Sequence, residues 1–383
     1  MSYNSHDISG TCHMMLLVLV RLLASTLPWV VGADKGHIVT FDLSTQPRQT
    51  IDASIHRRYL SEDYSEAPVY RGYGTHFAYV WAGSPPQRVS VIVDTGSHHT
   101  AFPCKGCANC GKHTDRFWDP AKSTTAKIQH CHGQMCSLSQ RYMEGSSWNA
   151  FVVKDTFWIG AEKLEYMEGL PNWNVTFQFG CQSSETGLFR TQLENGIMGM
   201  SADPATLPYV MKAAKVTPST AFTLCFLHTG GTMAIGAPAS SYTALNKEAV
   251  QWALLTKKTG YFTVSLEEVY LRKSNSDILK NIGEPKSKYN TGRGIIVDSG
   301  TTDSYLPSSV ASSFKRVFKS LTGMSYSNSA LSLSVEQLKK LPIIVFRLKT
   351  TEGREVGWGG EGKCVLLLVQ YALQCAVSLM TSR

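Results

Sequence analysis

One short stretch occurs twice in this chain of 383 residues. The first copy is Val91-Ile92-Val93-Asp94-Thr95-Gly96-Ser97 and the second is Ile295-Ile296-Val297-Asp298-Ser299-Gly300-Thr301. In each, a β-branched apolar run predicts a buried strand that delivers an aspartate into a tight turn. The glycine lets the backbone turn beside the carboxylate. The flanking hydroxyls can hydrogen-bond the outer carboxylate oxygens and fix their direction. Two such elements, about 200 residues apart, point to two similar lobes with one aspartate from each meeting at a shared cleft.

With a predicted hairpin between them, the two Asp-Thr/Ser-Gly-Ser/Thr elements resemble the signature of the pepsin-like aspartic proteases, over about residues 73–348. The residues after the first aspartate, DTGSHHTAFPCKGCANCGKH, are most similar to the cysteine-rich plasmepsin V and nepenthesin-like branch. The resemblance implies a mostly β, bilobal fold, two β-barrel-like lobes with the active-site cleft between them. It implies an aspartic-type endopeptidase acting on polypeptide substrates, with Asp94 and Asp298 as the catalytic pair and no metal or organic cofactor. Thr95, Gly96, Ser97, Ser299, Gly300 and Thr301 would support the pair. Tyr142, with Gly145 and Ser146 in the turn beside it, would sit on a flap over the cleft. Pepsin relatives often carry a Trp shortly after the first aspartate that bonds the flap tyrosine. Ala101 falls near that position here, so the support of Tyr142 is expected to differ. Asp303 could face the cleft, although a surface or turn position is favoured for it.

The chemistry needs two carboxyls in contact. They cannot both ionise easily, so one keeps a proton near acidic pH. The ionised member can take a proton from water while the protonated one hydrogen-bonds a developing oxyanion. The pair titrates as a unit.

Composition narrows the alternatives. A hydrophobic content of 43% fits a globular chain. The net charge of +8 comes from scattered Lys and Arg with no dense basic run among aromatics, so a solvated basic surface is favoured over nucleic-acid binding. Met14 to Ala24 is apolar apart from Arg21, and Val31-Gly32-Ala33 suits signal-peptidase cleavage, so residues 1–33 are expected to be a signal peptide, with an uncleaved anchor as the alternative. That places the chain in the secretory pathway, secreted or membrane-associated, and a monomer is expected. Nine of the ten cysteines follow Ala33. Cys104, Cys107, Cys110, Cys131, Cys136, Cys181 and Cys225 are disulfide candidates. A zinc site using His113 and His132 is the alternative reading of the Cys-x-x-Cys-x-x-Cys run. Asn174-Val175-Thr176 is a glycosylation acceptor.

In chain order, residues 34–70 form a polar, propeptide-like segment, 71–232 an N-terminal lobe with a Cys-rich insert, and 233–350 a C-terminal lobe. Strands are expected over Thr75–Trp81, Arg88–Val93, Asn149–Ile159, Phe177–Cys181, Phe222–Phe226, Gly230–Gly236, Trp252–Leu255, Tyr261–Leu266 and Leu341–Leu348. Helices are expected near Pro208–Lys215 and Ser309–Leu321, and a surface loop over Ser274–Arg293. Asn195 to Met200 matches a strand that crosses behind the first aspartate. No second apolar-apolar-Gly segment follows Gly362, and residues 351–383 form an atypical apolar tail. An incomplete C-terminal lobe is favoured over a membrane anchor there. A catalytically inactive, peptide-binding relative of the same fold is therefore the alternative to an active protease.

Overall fold

Strands dominate the computed structural model, which describes residues 38–43 and 65–349 apart from 73, 168–172, 228–229, 237–252, 254, 257–258, 274–275, 302–303 and 328–332. The expected signal peptide, most of the propeptide-like segment, Asp303 and the apolar tail lie outside the described residues.

The first lobe grows from a hairpin. His76–Ala82 and Gln87–Asp94 pair antiparallel from Phe77↔Ile92 to Ala82↔Gln87. All seven residues of His76–Ala82 are buried, the pattern of a strand covered on both faces. The sheet runs from Phe222–Leu227 through Gly230–Ile235, Ser65–Arg71, the hairpin, Gly196–Gly199, Ala101–Ala108 and Val175–Thr186 to Ser147–Gly160. The far end of Ser147–Gly160 then returns to the hairpin, pairing Phe157 with Ala82 and Gly160 with Tyr79. The middle of the sheet thereby closes on itself, while Phe222–Leu227 remains an edge strand.

Inside it, Val175, Phe177 and Phe179 are buried while Thr176 and Gln178 point outward, the period of two that a half-covered strand requires. The ring of Phe179 stacks on Phe102 at 4.7 Å and meets Trp118 edge-on at 5.2 Å. Trp118 donates its indole N–H to the Ala82 carbonyl at 3.1 Å, so its one polar atom is satisfied in the core.

The second lobe is built on a smaller antiparallel sheet. Leu266–Arg272 lies between Ile343–Lys349 and Lys280–Asn281, and Ile38–Leu43 pairs with the other edge of Ile343–Lys349. The helix Ala311–Thr322 buries Phe314, Val317 and Phe318 and exposes Lys315 and Lys319. Gly323, with φ +75°, ends it by donating to the Lys319 carbonyl at 2.8 Å.

Three expectations need correction. Ser65–Arg71 is a strand between Gly230–Ile235 and His76–Ala82, at the end of the segment read as polar and propeptide-like. Ser65, Ala67 and Val69 are its buried face. The strand expected over Tyr261–Leu266 begins at Thr263, breaks at Ser265 and continues to Arg272. Ser274–Arg293 is not simply a surface loop: it contains the short strand Lys280–Asn281 and the one-turn helix Lys286–Tyr289. Ile282 and Tyr289 are fully buried there, so two apolar anchors hold a Lys-rich run against the core.

Candidate active site

The two repeated elements come together at the junction of the lobes. Gln87–Asp94 carries Asp94 to its C-terminal end. Gly196–Gly199 runs parallel behind it, pairing Gly199 with Asp94, and Met200 donates its N–H to the Asp94 carbonyl at 2.7 Å. Asp298 follows Ile295–Ile296, which pairs with Thr263–Val264, and Val297 donates to the Phe262 carbonyl at 3.0 Å.

Each aspartate is held by its own turn in the same way. The Gly96 N–H donates to Asp94 Oδ1 at 2.9 Å and the Gly300 N–H to Asp298 Oδ1 at 2.8 Å. Ser97 Oγ donates to Asp94 Oδ2, and Thr301 Oγ1 to Asp298 Oδ2 at 2.8 Å. The loops also brace each other. Thr95 Oγ1 donates to the Val297 carbonyl at 2.9 Å and accepts the Ser299 N–H at 2.9 Å. Ser299 Oγ donates to the Val93 carbonyl at 2.6 Å and accepts the Thr95 N–H at 3.1 Å. This reciprocal set relates the two halves by a local two-fold.

Both carboxyls are buried, each 3% exposed. They face each other so closely that a Cβ on Gly96 would strike the Asp298 carboxyl and one on Gly300 the Asp94 carboxyl. Glycine is needed at both positions for room. Asp94 is pushed well above the usual carboxylate range, first by burial and then by the charge of Asp298, against the opposing hydrogen bonds from Ser97 and Gly96. Such a pair can retain one proton and offer an acceptor and a donor side by side.

A hairpin leans over the pair. Ser137–Arg141 and Ser147–Gly160 are its strands, with Ser147 opposite Arg141. In its turn Tyr142 N–H donates to the Ser146 carbonyl at 2.9 Å and Gly145 N–H to the Tyr142 carbonyl at 3.1 Å, with Gly145 at φ +101°. Ser146 is buried, and its Oγ accepts the Leu188 N–H at 2.8 Å, seating the hairpin on the 3-10 turn Gly187–Arg190. The Tyr142 phenol lies against Ser97 and Asp94. Its pKa is raised above the ordinary tyrosine value by burial first and then by the Asp94 charge.

The support of that phenol comes from a residue that sequence reasoning missed. Trp148 donates its indole N–H to Tyr142 Oη at 3.3 Å. Its side chain is 1% exposed and packs in a small cluster with Ile92, Ala101, Ala150, Phe189 and Ile197. Ala101 stands where relatives often carry a Trp; here the indole arrives from the opposite strand of the hairpin, in the same cluster. The one signal in the sequence was a Trp directly after the Gly-Ser-Ser turn.

Six of the seven cysteine candidates form disulfides: Cys104–Cys181, Cys107–Cys110 and Cys131–Cys136. The side chain of Cys225 lies outside the described residues. Cys104–Cys181 joins two strands that already pair in parallel, while the other two close short loops of the insert. His113 accompanies Glu185 in the interior at 3.4 Å. Among the described residues no group of three or more His, Cys, Asp and Glu is placed to hold a metal ion. Asn174 is half-buried, just before the strand Val175–Thr186.

Comparison with known proteins adds several findings. A family model described as eukaryotic aspartyl protease matches residues 75–356. Aspartic protease 5 of Toxoplasma gondii is 30% identical over 203 residues, covering 43% of this chain and 20% of that protein. Plasmepsin V of Plasmodium falciparum is 30% identical over 200 residues, covering 47% of this chain and 32% of that protein. Aspartic proteinase nepenthesin-2 of Nepenthes gracilis is 25% identical over 309 residues, covering 74% of this chain and 65% of that protein. The chain thus spans less than two thirds of the length of each of these relatives.

Proposed function

The chain belongs to the eukaryotic aspartyl protease family and has its mostly β, bilobal fold, and on that premise we propose that it is an active aspartic endopeptidase with Asp94 and Asp298 as its catalytic pair. The observation that carries the reading is the reciprocal seating of the two carboxyls, each buried against the other's turn glycine. In the working pair one carboxylate accepts a proton from a water molecule, which attacks the scissile carbonyl. The protonated carboxyl hydrogen-bonds the developing oxyanion, and the proton then passes to the leaving amine. Burial and the charge of Asp298 push Asp94 above its ordinary range, so the resting pair holds a proton as a unit.

Tyr142, steadied by Trp148, covers the cleft beside Asp94 and Ser97. The substrates are polypeptides, and the three disulfides support synthesis through the secretory pathway.

Replacing either aspartate by Asn tests the reading. Cleavage of a peptide library by each variant should fall by at least about a thousandfold, because the acid–base pair needs both members. Cleavage that persists in both variants would refute the assignment. Folded wild-type protein that binds peptides without cutting them would establish the inactive, peptide-binding alternative instead.

A further inference from the structure

Beyond the Thr95 and Ser299 brace, the Asp94 loop also reaches the segment that pairs with the Asp298 strand. His98 follows Ser97 and lies half-buried between the lobes. On one side its Nδ1 hydrogen-bonds Ser201 Oγ. Ser201 is fully buried, and its N–H donates to the Ser97 carbonyl at 3.2 Å, so the bond ties His98 to the segment behind Asp94. On the other side the imidazole packs on the ring of Tyr261, with centroids 4.5 Å apart. Gly260, at φ +78°, comes so near that a Cβ there would lie 3.3 Å from His98 Cε1.

Tyr261 is not a free surface ring. Its neighbour Phe262 accepts the Val297 N–H, and the next two residues pair with Ile296 and Ile295. A ring held against Tyr261 therefore presses on the strand pair that delivers Asp298. We propose that His98 is a positioning residue: its neutral imidazole clasps the Tyr261 loop and holds the Asp298 strand in register with Asp94, and a proton on the ring loosens that clasp.

The charged and titratable groups around the ring explain the direction. Asp203, from the segment after Ser201, favours a proton on His98, whereas Arg293, beside the Asp298 strand, opposes it. His99 is the neighbouring titratable ring, 6.5 Å away, and Tyr261 faces His98 from the second lobe. The Arg293 guanidinium lies over the Tyr261 ring at 5.7 Å, so a charged imidazole packed on that ring would face a like charge. Burial is the largest influence and lowers the His98 pKa from its ordinary value. His99 is lowered as well, by burial first and then by His98. The ring thus favours the neutral form more than a free histidine does.

The role in catalysis rests on the aspartic endopeptidase reading, but the clasp can be read without it. Two measurements on the full chain decide the matter: kcat and KM against pH, and thermal midpoint against pH, for wild type, His98→Gln and His98→Ala. Glutamine is chosen because its amide can keep the Ser201 bond without titrating. The alanine variant should lose about ten- to a hundredfold in kcat with KM little changed, since loosening the register misplaces one carboxyl. The glutamine variant should keep most of kcat at pH 6–7, on the order of half or more, and its midpoint should fall less than that of wild type as the solution is acidified. An alanine variant with wild-type kcat, or glutamine-variant and wild-type midpoints that fall in parallel, would overturn the proposal. If wild type cuts no peptide, the endopeptidase reading fails while the midpoints still decide the clasp; if wild type cuts and the midpoints run parallel, the clasp alone fails.

Discussion

At the scale of single residues, the site joins stabilising hydrogen bonds to a buried charge that opposes folding. Asp94 has its pKa raised on folding. The folded state therefore binds a proton that the unfolded chain releases, and stability falls as pH rises through the interval between the unfolded and folded values. Asp94→Asn keeps a carbonyl for the Gly96 N–H and removes the charge. Its thermal midpoint should exceed that of wild type at pH 7 and approach it near pH 3, measured by calorimetry. Ser299→Ala acts in the other direction. It deletes the bond to the Val93 carbonyl and leaves the Thr95 N–H unpaired, which should cost about 2–4 kcal/mol by urea unfolding. Trp148→Phe keeps most of the buried ring but loses the N–H that holds the Tyr142 phenol. Steady-state kinetics should show kcat down by about tenfold, since one positioning bond is lost.

At the scale of elements, the repeated strand-and-turn is legible in the sequence because everything that defines it is local. The β-branched run, the aspartate, the glycine and the hydroxyl lie within seven residues, and it is the resemblance they carry that implies a supporting role for Thr95 and Ser299. The same holds for the hairpin at Tyr142 and the helix Ala311–Thr322, whose turn chemistry and apolar spacing are written in consecutive residues. What escapes such a reading is set by distant partners. Ser65–Arg71 is short, has Pro68 in its middle, and gains its place by pairing with Gly230–Ile235 and His76–Ala82. Trp148 supports the flap because hairpin register and the small Ala101 side chain leave room for the indole, and neither is visible along the chain. Tyr289 and Ile282 are two anchors in a Lys-rich run, too few to show a period. Disulfide pairing likewise follows from which strands become neighbours. Cys104–Cys181 links the Ala101–Ala108 strand, just beyond the Asp94 loop, to Val175–Thr186. Replacing both by Ala should cost about 2–4 kcal/mol in chemical denaturation, more than removal of Cys131–Cys136, which closes a far shorter loop.

At the scale of the whole molecule, two pH dependences of opposite sign meet at the lobe junction. The buried Asp94 favours the fold in acid and weakens it as pH rises. His98, with its pKa lowered in the fold, contributes stability that is full above the ordinary histidine value and is lost as pH falls through the folded value. An enzyme built this way should work best in a mildly acidic window bounded by both groups. The most direct measurement is kcat/KM for a cleaved library peptide from pH 3 to 8, with wild type beside Asp94→Asn and Asp298→Asn. A bell-shaped wild-type profile, with both variants flat at background, is the expected result. A profile that rises steadily to pH 8, or cleavage that survives in either variant, would contradict a shared-proton pair at Asp94 and Asp298.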